Sequence, residues 1–288
     1  MRRIACLFVF AALCCQAAPT VKDDRGQTIT LAQPARRIVT LSPHLTEDLY
    51  AIGAGNLIVG TVDYSDYPAA ANKITRIGGY NGFDLERIRA LKPDLILAWD
   101  SGNPPQQLAL VAGLGIPVFY DNVGKMADIP GVLERLGVLT RHEAEARAAA
   151  AQWRQRMDQL ARRYAGKRPV RVFYQVWDRP LMTINGQQII SDALRLCGAV
   201  NVFADLPAIA PTVDEEAVLA ANPEIIATSG EPGMQAGVLA RWQRWPKLAA
   251  TRNGQLVTLP PDLLSRKGPR FIDGAEALCR AVDKARQP

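Results

Sequence analysis

Short, almost unbroken apolar runs recur along the chain. They are Ile38-Val39-Thr40-Leu41 and residues 57–62, 95–99, 118–120, 170–176, 225–228 and 255–259. Between them lie segments with helical spacing or helix-opening residues, at 45–52, 85–91, 105–114, 189–196, 215–221 and 275–286. Strands buried on both faces read as continuous apolar runs, and strands alternating with helices predict parallel sheets covered by helices on each side. Ahead of them, residues 22–34 predict a small hairpin turning at Asp24-Arg25-Gly26.

One helix-to-strand unit occurs twice. Asp84-Leu-Glu86-Arg-Ile88-Arg-Ala90-Leu-Lys-Pro93-Asp94-Leu-Ile96 is echoed 130 positions later by Asp214-Glu-Glu216-Ala-Val218-Leu-Ala220-Ala-Asn-Pro223-Glu224-Ile-Ile226. Each copy has a capping Asp, an acid two positions on, a short helix, a Pro, a second acid and a buried strand. Two distant copies of one unit predict two similar lobes with a ligand cleft between them.

The longest amphipathic segment, 140–166, falls between the copies. Thr140-Arg-His-Glu143 reads as a capping box, and Gly166 suits the left-handed end. Ala146, Ala149, Ala150, Trp153, Met157, Leu160 and Tyr164 form one stripe. A helix of about 25 residues, roughly 38 Å long, is expected to be a rigid strut packed against both lobes, with an ordinary surface helix as the alternative. The expected organisation is an N-terminal lobe at 18–139, a linking helix at 140–166 and a C-terminal lobe at 167–288.

Residues 1–17 read as an export signal: Arg2 and Arg3, then an apolar stretch of ten from Ile4 to Leu13, then a cleavage site at Cys15-Gln16-Ala17. A lipid anchor on Cys14 or Cys15 is disfavoured because the residues before them, Leu13 and Cys14, are not small. No later segment is long and apolar enough to predict a membrane span. The net charge of +6 falls to +4 without Arg2 and Arg3, and no basic run reaches five residues, so nucleic-acid binding is not expected. Outside the leader only Cys197 and Cys279 remain. In an exported protein the pair reads as a disulfide stapling two helices of one lobe, with two buried thiols as the alternative. Closing that loop stabilises by roughly 4 kcal/mol on the chain-entropy estimate.

Enzyme motifs are missing. There is no Gly-x-Ser-x-Gly, no phosphate loop and no Gly-x-Gly-x-x-Gly after the first strand. The two histidines, His44 and His142, are too few for a multi-histidine metal site and are expected at the surface. No catalytic residue, metal or cofactor is expected. Tyr64, Tyr67, Tyr80 and Trp99 cluster at the ends of first-lobe elements, where open α/β sheets bind ligands, and suit a large flat ligand. Asp66 and Tyr67-Pro68 read as turn formers. Asp262 and Arg266, on a loop after 255–259, are placed either to hydrogen-bond a ligand or to pair with each other. Glu86 and Glu216, equivalent in the two copies, either offset helix dipoles or form two charged knobs for a two-fold symmetric partner.

These residues resemble the periplasmic substrate-binding proteins of the long-helix class, which serve ABC importers of corrinoids, haem and siderophores. The likeness spans about residues 36–285. It rests on Arg37-Ile-Val-Thr-Leu-Ser-Pro43, Tyr64-Ser-Asp-Tyr-Pro68, Leu91-Lys-Pro-Asp-Leu95, Ala98-Trp99, Cys197-Gly198, Asn201-Val-Phe203, Asp262 with Arg266, and Pro269-Arg270. Tyr64-Ser-Asp-Tyr-Pro68 with Ala98-Trp99 points to the cobalamin branch. The resemblance implies two Rossmann-like lobes joined by one rigid helix, and a monomer located in the periplasm. A corrinoid such as vitamin B12 would be carried as ligand rather than cofactor, held between Tyr64, Tyr80 and Trp99 on one side and the Asp262–Arg266 loop on the other. It also implies a Cys197–Cys279 disulfide, and Glu86 and Glu216 docked on arginines of an inner-membrane permease dimer. Two aromatic positions depart from that branch, Tyr80 and Ala210 standing where it has Trp, and Trp177 is expected to fill part of the space. Haem or a siderophore is the alternative ligand. A periplasmic enzyme, with Asp262 its one candidate titratable group, is the reading from another class.

Overall fold

The computed structural model describes residues 17–230 and 232–287, the side chains of residues 232–236 excepted. The expected leader, with Cys14 and Cys15, lies outside the described residues apart from Ala17. Two four-stranded parallel sheets form the two lobes. The first runs, across the sheet, Ile58–Thr61, Ile38–Thr40, Leu95–Trp99, Val118–Asp121. The second runs Ala199–Asn201, Val170–Gln175, Ile225–Ser229, Leu256–Leu259. The spatial order is the same in both: second strand, first, third, fourth. Leu95 to Ala98 and Ile225 to Ala227 are fully enclosed, as the unbroken apolar runs require. A two-stranded hairpin, Thr20–Lys22 against Thr28–Thr30, precedes the first sheet.

The repeated unit folds alike in both lobes. Asp84 caps Leu85–Ala90 by accepting from Arg87 N, and Asp214 caps Glu215–Ala221 by accepting from Ala217 N. Lys92 (φ 48°) and Asn222 (φ 41°) make the same left-handed exit. After each Pro the acid accepts from backbone amides entering the lobe's first strand: Asp94 from Arg36 N and Arg37 N, Glu224 from Arg171 N. The arginine of that strand entry then reaches back to the helix end. Arg37 Nη2 donates to Leu91 O at 2.6 Å, and Arg171 Nη2 donates to Ala221 O. Each guanidinium satisfies a carbonyl that the helix terminus leaves without a partner.

The strut is Glu143–Tyr164, 22 residues and roughly 33 Å long. Its stripe is inside: Ala146, Trp153, Leu160 and Tyr164 join a core cluster that takes in residues of both lobes. Thr140 is not its cap. It is the last residue of a preceding helix, Ile129–Thr140, and its hydroxyl donates to Leu136 O at 2.8 Å. Arg141 turns the chain in the left-handed region, and His142 takes the N-cap position with no side-chain cap bond. The two helices touch so closely that a Cβ on Gly137 would lie 2.4 Å from Ala146 Cβ.

Helix Ile189–Leu196 and the final helix Phe271–Lys284 are joined by the Cys197–Cys279 disulfide. The final helix starts four residues before the expected 275. Among the described residues no helix is long and apolar enough to cross a membrane.

Candidate functional site

The carboxyl ends of the two sheets face a shared cleft. Trp99 closes its strand on the first lobe; Tyr174 and Gln175, and Ser229, close theirs on the second. All four line a cavity of about 420 Å³, with Ile184, Ile190, Ile209, Ala210 and Lys267 among the other walls. Trp99 also walls a smaller cavity of about 130 Å³ lined by Tyr64, Tyr80, Ser42 and Asn103. The indole therefore stands between two hollows of one cleft, where ligands of open α/β sheets bind.

Trp99 is fixed by its turn. Asn103 accepts from Trp99 N at 2.8 Å and donates to Leu41 O at 2.9 Å. The ring lies over Gly102, where a Cβ would come within 2.1 Å of it, so only glycine fits. Tyr64 holds φ 62°, a left-handed conformation that disfavours a bulky side chain, yet its ring is 79% exposed. Tyr80 is 86% exposed on its glycine turn. Two large aromatics are held out to solvent beside a half-buried third. The structure thus brings the expected Tyr64, Tyr80 and Trp99 together around one cleft. Trp177 is exposed at 62%, its indole bonded to Arg179 O, and it does not wall either cavity.

Asp262 and Arg266 are not brought to the cavity wall. Arg266 is 9% exposed and committed elsewhere: to Glu47 Oε1 at 2.9 Å, Asp66 Oδ1 at 2.8 Å and Asp262 Oδ1 at 3.2 Å. The mutual pairing of Asp262 and Arg266 is present, within a larger network. Glu47, 3% exposed on the first lobe, also accepts from Arg270 Nε at 2.8 Å and Nη2 at 2.7 Å. The Arg270 guanidinium in turn lies 3.8 Å from the Tyr67 ring centroid. Asp66 is therefore an ion-pair partner rather than only a turn former. Its burial raises the carboxyl pKa, but the Arg266 hydrogen bond and charge outweigh this and hold it below the usual range. These contacts tie second-lobe residues to helix Pro43–Ala51 and the Tyr67 turn of the first.

Under Trp99 lies a second polar cluster. His44, expected at the surface, is buried. Its Nε2 meets Asp121 Oδ2 at 3.0 Å, its Nδ1 meets Ser42 Oγ at 2.7 Å, and its ring meets Trp99 edge-on at 5.4 Å. Burial, then the charges of Asp121 and Glu47, push the Asp48 carboxyl well above its ordinary range. Lys267 Nζ donates to Val123 O at 2.8 Å. Burial lowers the pKa of this ammonium, against a smaller opposing pull from Asp121. Sequence reasoning missed Glu47, Asp48, Asp121 and Lys267; the pattern Glu47-Asp48 inside a helix reads as a solvated face. Among the described residues no group of three or more His, Cys, Asp or Glu is placed to hold a metal ion.

Glu86 and Glu216 are both exposed, on the first turns of equivalent helices. Among the described residues neither has an ion-pair partner, although neighbouring Glu215 is bonded to Arg241 and Arg244.

Two like sheets, a helical strut and a cleft with an aromatic wall define a bilobal solute-binding protein. The chain belongs to the periplasmic binding protein family, whose pattern matches residues 38–263. Within that family it is similar to the vitamin B12-binding protein of Yersinia pestis (strain Pestoides F), 39% identical over 251 residues that cover 87% of this chain and 88% of the relative. Its fold matches the crystal structure of the periplasmic vitamin B12-binding protein of Vibrio cholerae with a TM-score of 0.82. That match has 36% identity and covers 88% of this chain and 99% of the other. A periplasmic heme-binding protein from Pseudomonas aeruginosa shares the fold alone, with a TM-score of 0.76 at 24% identity over 86% of this chain and 92% of that one.

Proposed function

We propose that this protein captures a corrinoid of the cobalamin type in the inter-lobe cleft and delivers it to the permease of an ABC importer. The observation that carries this reading is the aromatic wall of Tyr64, Tyr80 and Trp99 opposite an apolar second-lobe wall containing Ile184, Ile190 and Ile209. A corrin is broad and flat, with amides on its rim. Exposed rings supply area against its faces at low entropy cost, and their polar tips meet the amides. The relatives named for vitamin B12 support the same ligand. Binding needs no bond making, so the protein acts as a carrier, a monomer working in the periplasm, with lobes at 18–139 and 167–288 about the link at 140–166. Glu86 and Glu216 are the docking knobs, each meeting arginines on one half of a permease dimer, and permease contacts that prise the lobes apart release the ligand.

Calorimetric titration with cyanocobalamin, cobinamide and haemin tests the ligand. One-to-one binding of cyanocobalamin is expected. Trp99→Ala should weaken it by about 2 kcal/mol, roughly thirtyfold, from the lost ring burial. Failure of folded protein to bind either corrinoid, with haemin bound tightly, would replace the corrinoid by haem. Glu86→Arg and Glu216→Arg should abolish transport in reconstituted vesicles while leaving corrinoid affinity unchanged. Transport that survives the double change would remove the docking role.

A further inference from the structure

The larger cavity of the cleft has one formally charged residue among its described walls. Its other sides are aromatic, aliphatic, amide or hydroxyl groups; the exception is Lys267. This lysine follows the short helix Pro261–Ser265 and Arg266, and it enters the cleft floor from the second lobe. Its ammonium lies 5.7 Å from the centroid of Trp99, the indole that divides the cleft.

The ammonium is underused. It carries three N–H donors, and among the described residues one acceptor, Val123 O, takes a single bond from it. Among the described residues Asp121 Oδ2 is engaged with His44, while the buried Asp121 Oδ1 takes no hydrogen bond and acts on Lys267 only as a charge beyond ion-pair distance. A cation that is half-buried, with donors unspent on a cavity otherwise free of charge, is paired best by an anionic group on whatever fills that cavity.

We propose that Lys267 forms an anion-reading subsite of the cleft, taking a phosphodiester or carboxylate carried by the tetrapyrrole ligand and selecting such ligands over neutral ones of the same ring. This deepens the corrinoid reading and rests on it. The aromatic wall accepts any corrin face, and the lysine discriminates by what hangs from the rim. The competing role is purely structural: Lys267 would serve as counter-charge to Asp121. That role predicts altered stability on substitution but no change in the ratio of ligand affinities.

The ratio is therefore the measurement. Three corrinoids share the ring: cyanocobalamin carries a phosphodiester within a nucleotide loop that also bears a ribose and a cobalt-bound benzimidazole, dicyanocobyric acid carries a free carboxylate, and dicyanocobinamide carries neither anion, so the change made by Lys267→Met isolates the charge. Titration of the wild-type protein should show at least one anionic ligand bound roughly tenfold or more tighter than dicyanocobinamide, the scale of a charge-assisted hydrogen bond. Which of the two benefits identifies phosphodiester or carboxylate as the group read. Lys267→Met should bring the favoured ligand to within about twofold of dicyanocobinamide, whose own affinity stays near the wild-type value, and Lys267→Arg should restore the preference. A Lys267→Met protein that loses affinity for all three equally, or for none, overturns the subsite while corrinoid capture stands. Should that variant not fold, the wild-type ratio decides alone, and equal affinity for the three ligands overturns it. Absence of binding to any of the three removes the corrinoid reading and the subsite with it.

Discussion

Replacing Glu47 by alanine removes the one carboxylate that two arginines of the opposite lobe share. Glu47 is almost fully enclosed and accepts three hydrogen bonds of 2.7–2.9 Å from Arg266 and Arg270. Deleting one partner of a buried ion pair commonly costs about 3–5 kcal/mol, because a charge is left desolvated. The lower end applies here. Arg266 keeps Asp66 and Asp262, while Arg270 is partly exposed and keeps the Tyr67 ring. A loss of about 3 kcal/mol, set against an unfolding entropy of about 2.1 cal/mol/K per residue over about 270 residues, lowers the melting temperature by about 5 °C. Circular-dichroism melts and urea titrations at neutral pH read this directly. Glu47→Ala combined with Arg270→Met should cost less than the two single changes added, because the pair is coupled. A drop below about 1 kcal/mol for Glu47→Ala, or strict additivity in the pair, would refute the view that these contacts hold the lobes together.

Asp48→Asn should raise the melting temperature at pH 8. The folded chain keeps a proton that unfolded Asp releases at about pH 3.9, so wild-type stability falls as pH rises from there toward the elevated folded pKa. The neutral amide escapes that loss, so its advantage should shrink toward pH 4; a lower melting temperature for the variant at pH 8 would contradict the burial argument. Replacing Cys197 and Cys279 together by alanine should cost roughly 2–4 kcal/mol in urea, and dithiothreitol should reproduce the loss in the wild type. Unchanged midpoints in both experiments would show that the staple constrains nothing.

The strands and most helices were legible because local signals agree: unbroken apolar runs, capping aspartates, and Pro after each repeated helix. The strut's start was misread for a local reason. Thr140-Arg-His-Glu143 has capping-box spacing, but where two helices abut, the same Thr can close the first by bonding back to Leu136 O. The helix it closes, Ile129–Thr140, contains Pro130, Gly131 and Gly137, which read as breakers. Pro130 sits in the first turn, where no amide bond is lost, and Gly137 is demanded by contact with Ala146. The aromatic part of the candidate site was legible as a cluster of rings just past strand ends and beside glycine turns, while the exposure of Tyr64 and Tyr80 shows only in the structure. The polar part was hidden. Helix Pro43–Ala51 buries His44 through Leu49 continuously, and the partners of Glu47 lie 219 and 223 residues away, beyond any pattern in local sequence.

The matched arginines at the two strand entries bear on how the chain folds. Arg37 reaches Leu91 across 54 residues, and Arg171 reaches Ala221 across 50. Closure entropy grows so slowly with length that the two loops differ by less than about 0.1 kcal/mol. Neither lobe has a head start from chain length, and each can nucleate around its own arginine. The disulfide breaks that symmetry. Once Cys197 and Cys279 are joined, the unfolded second lobe carries a loop already closed and has less chain entropy to lose than the first.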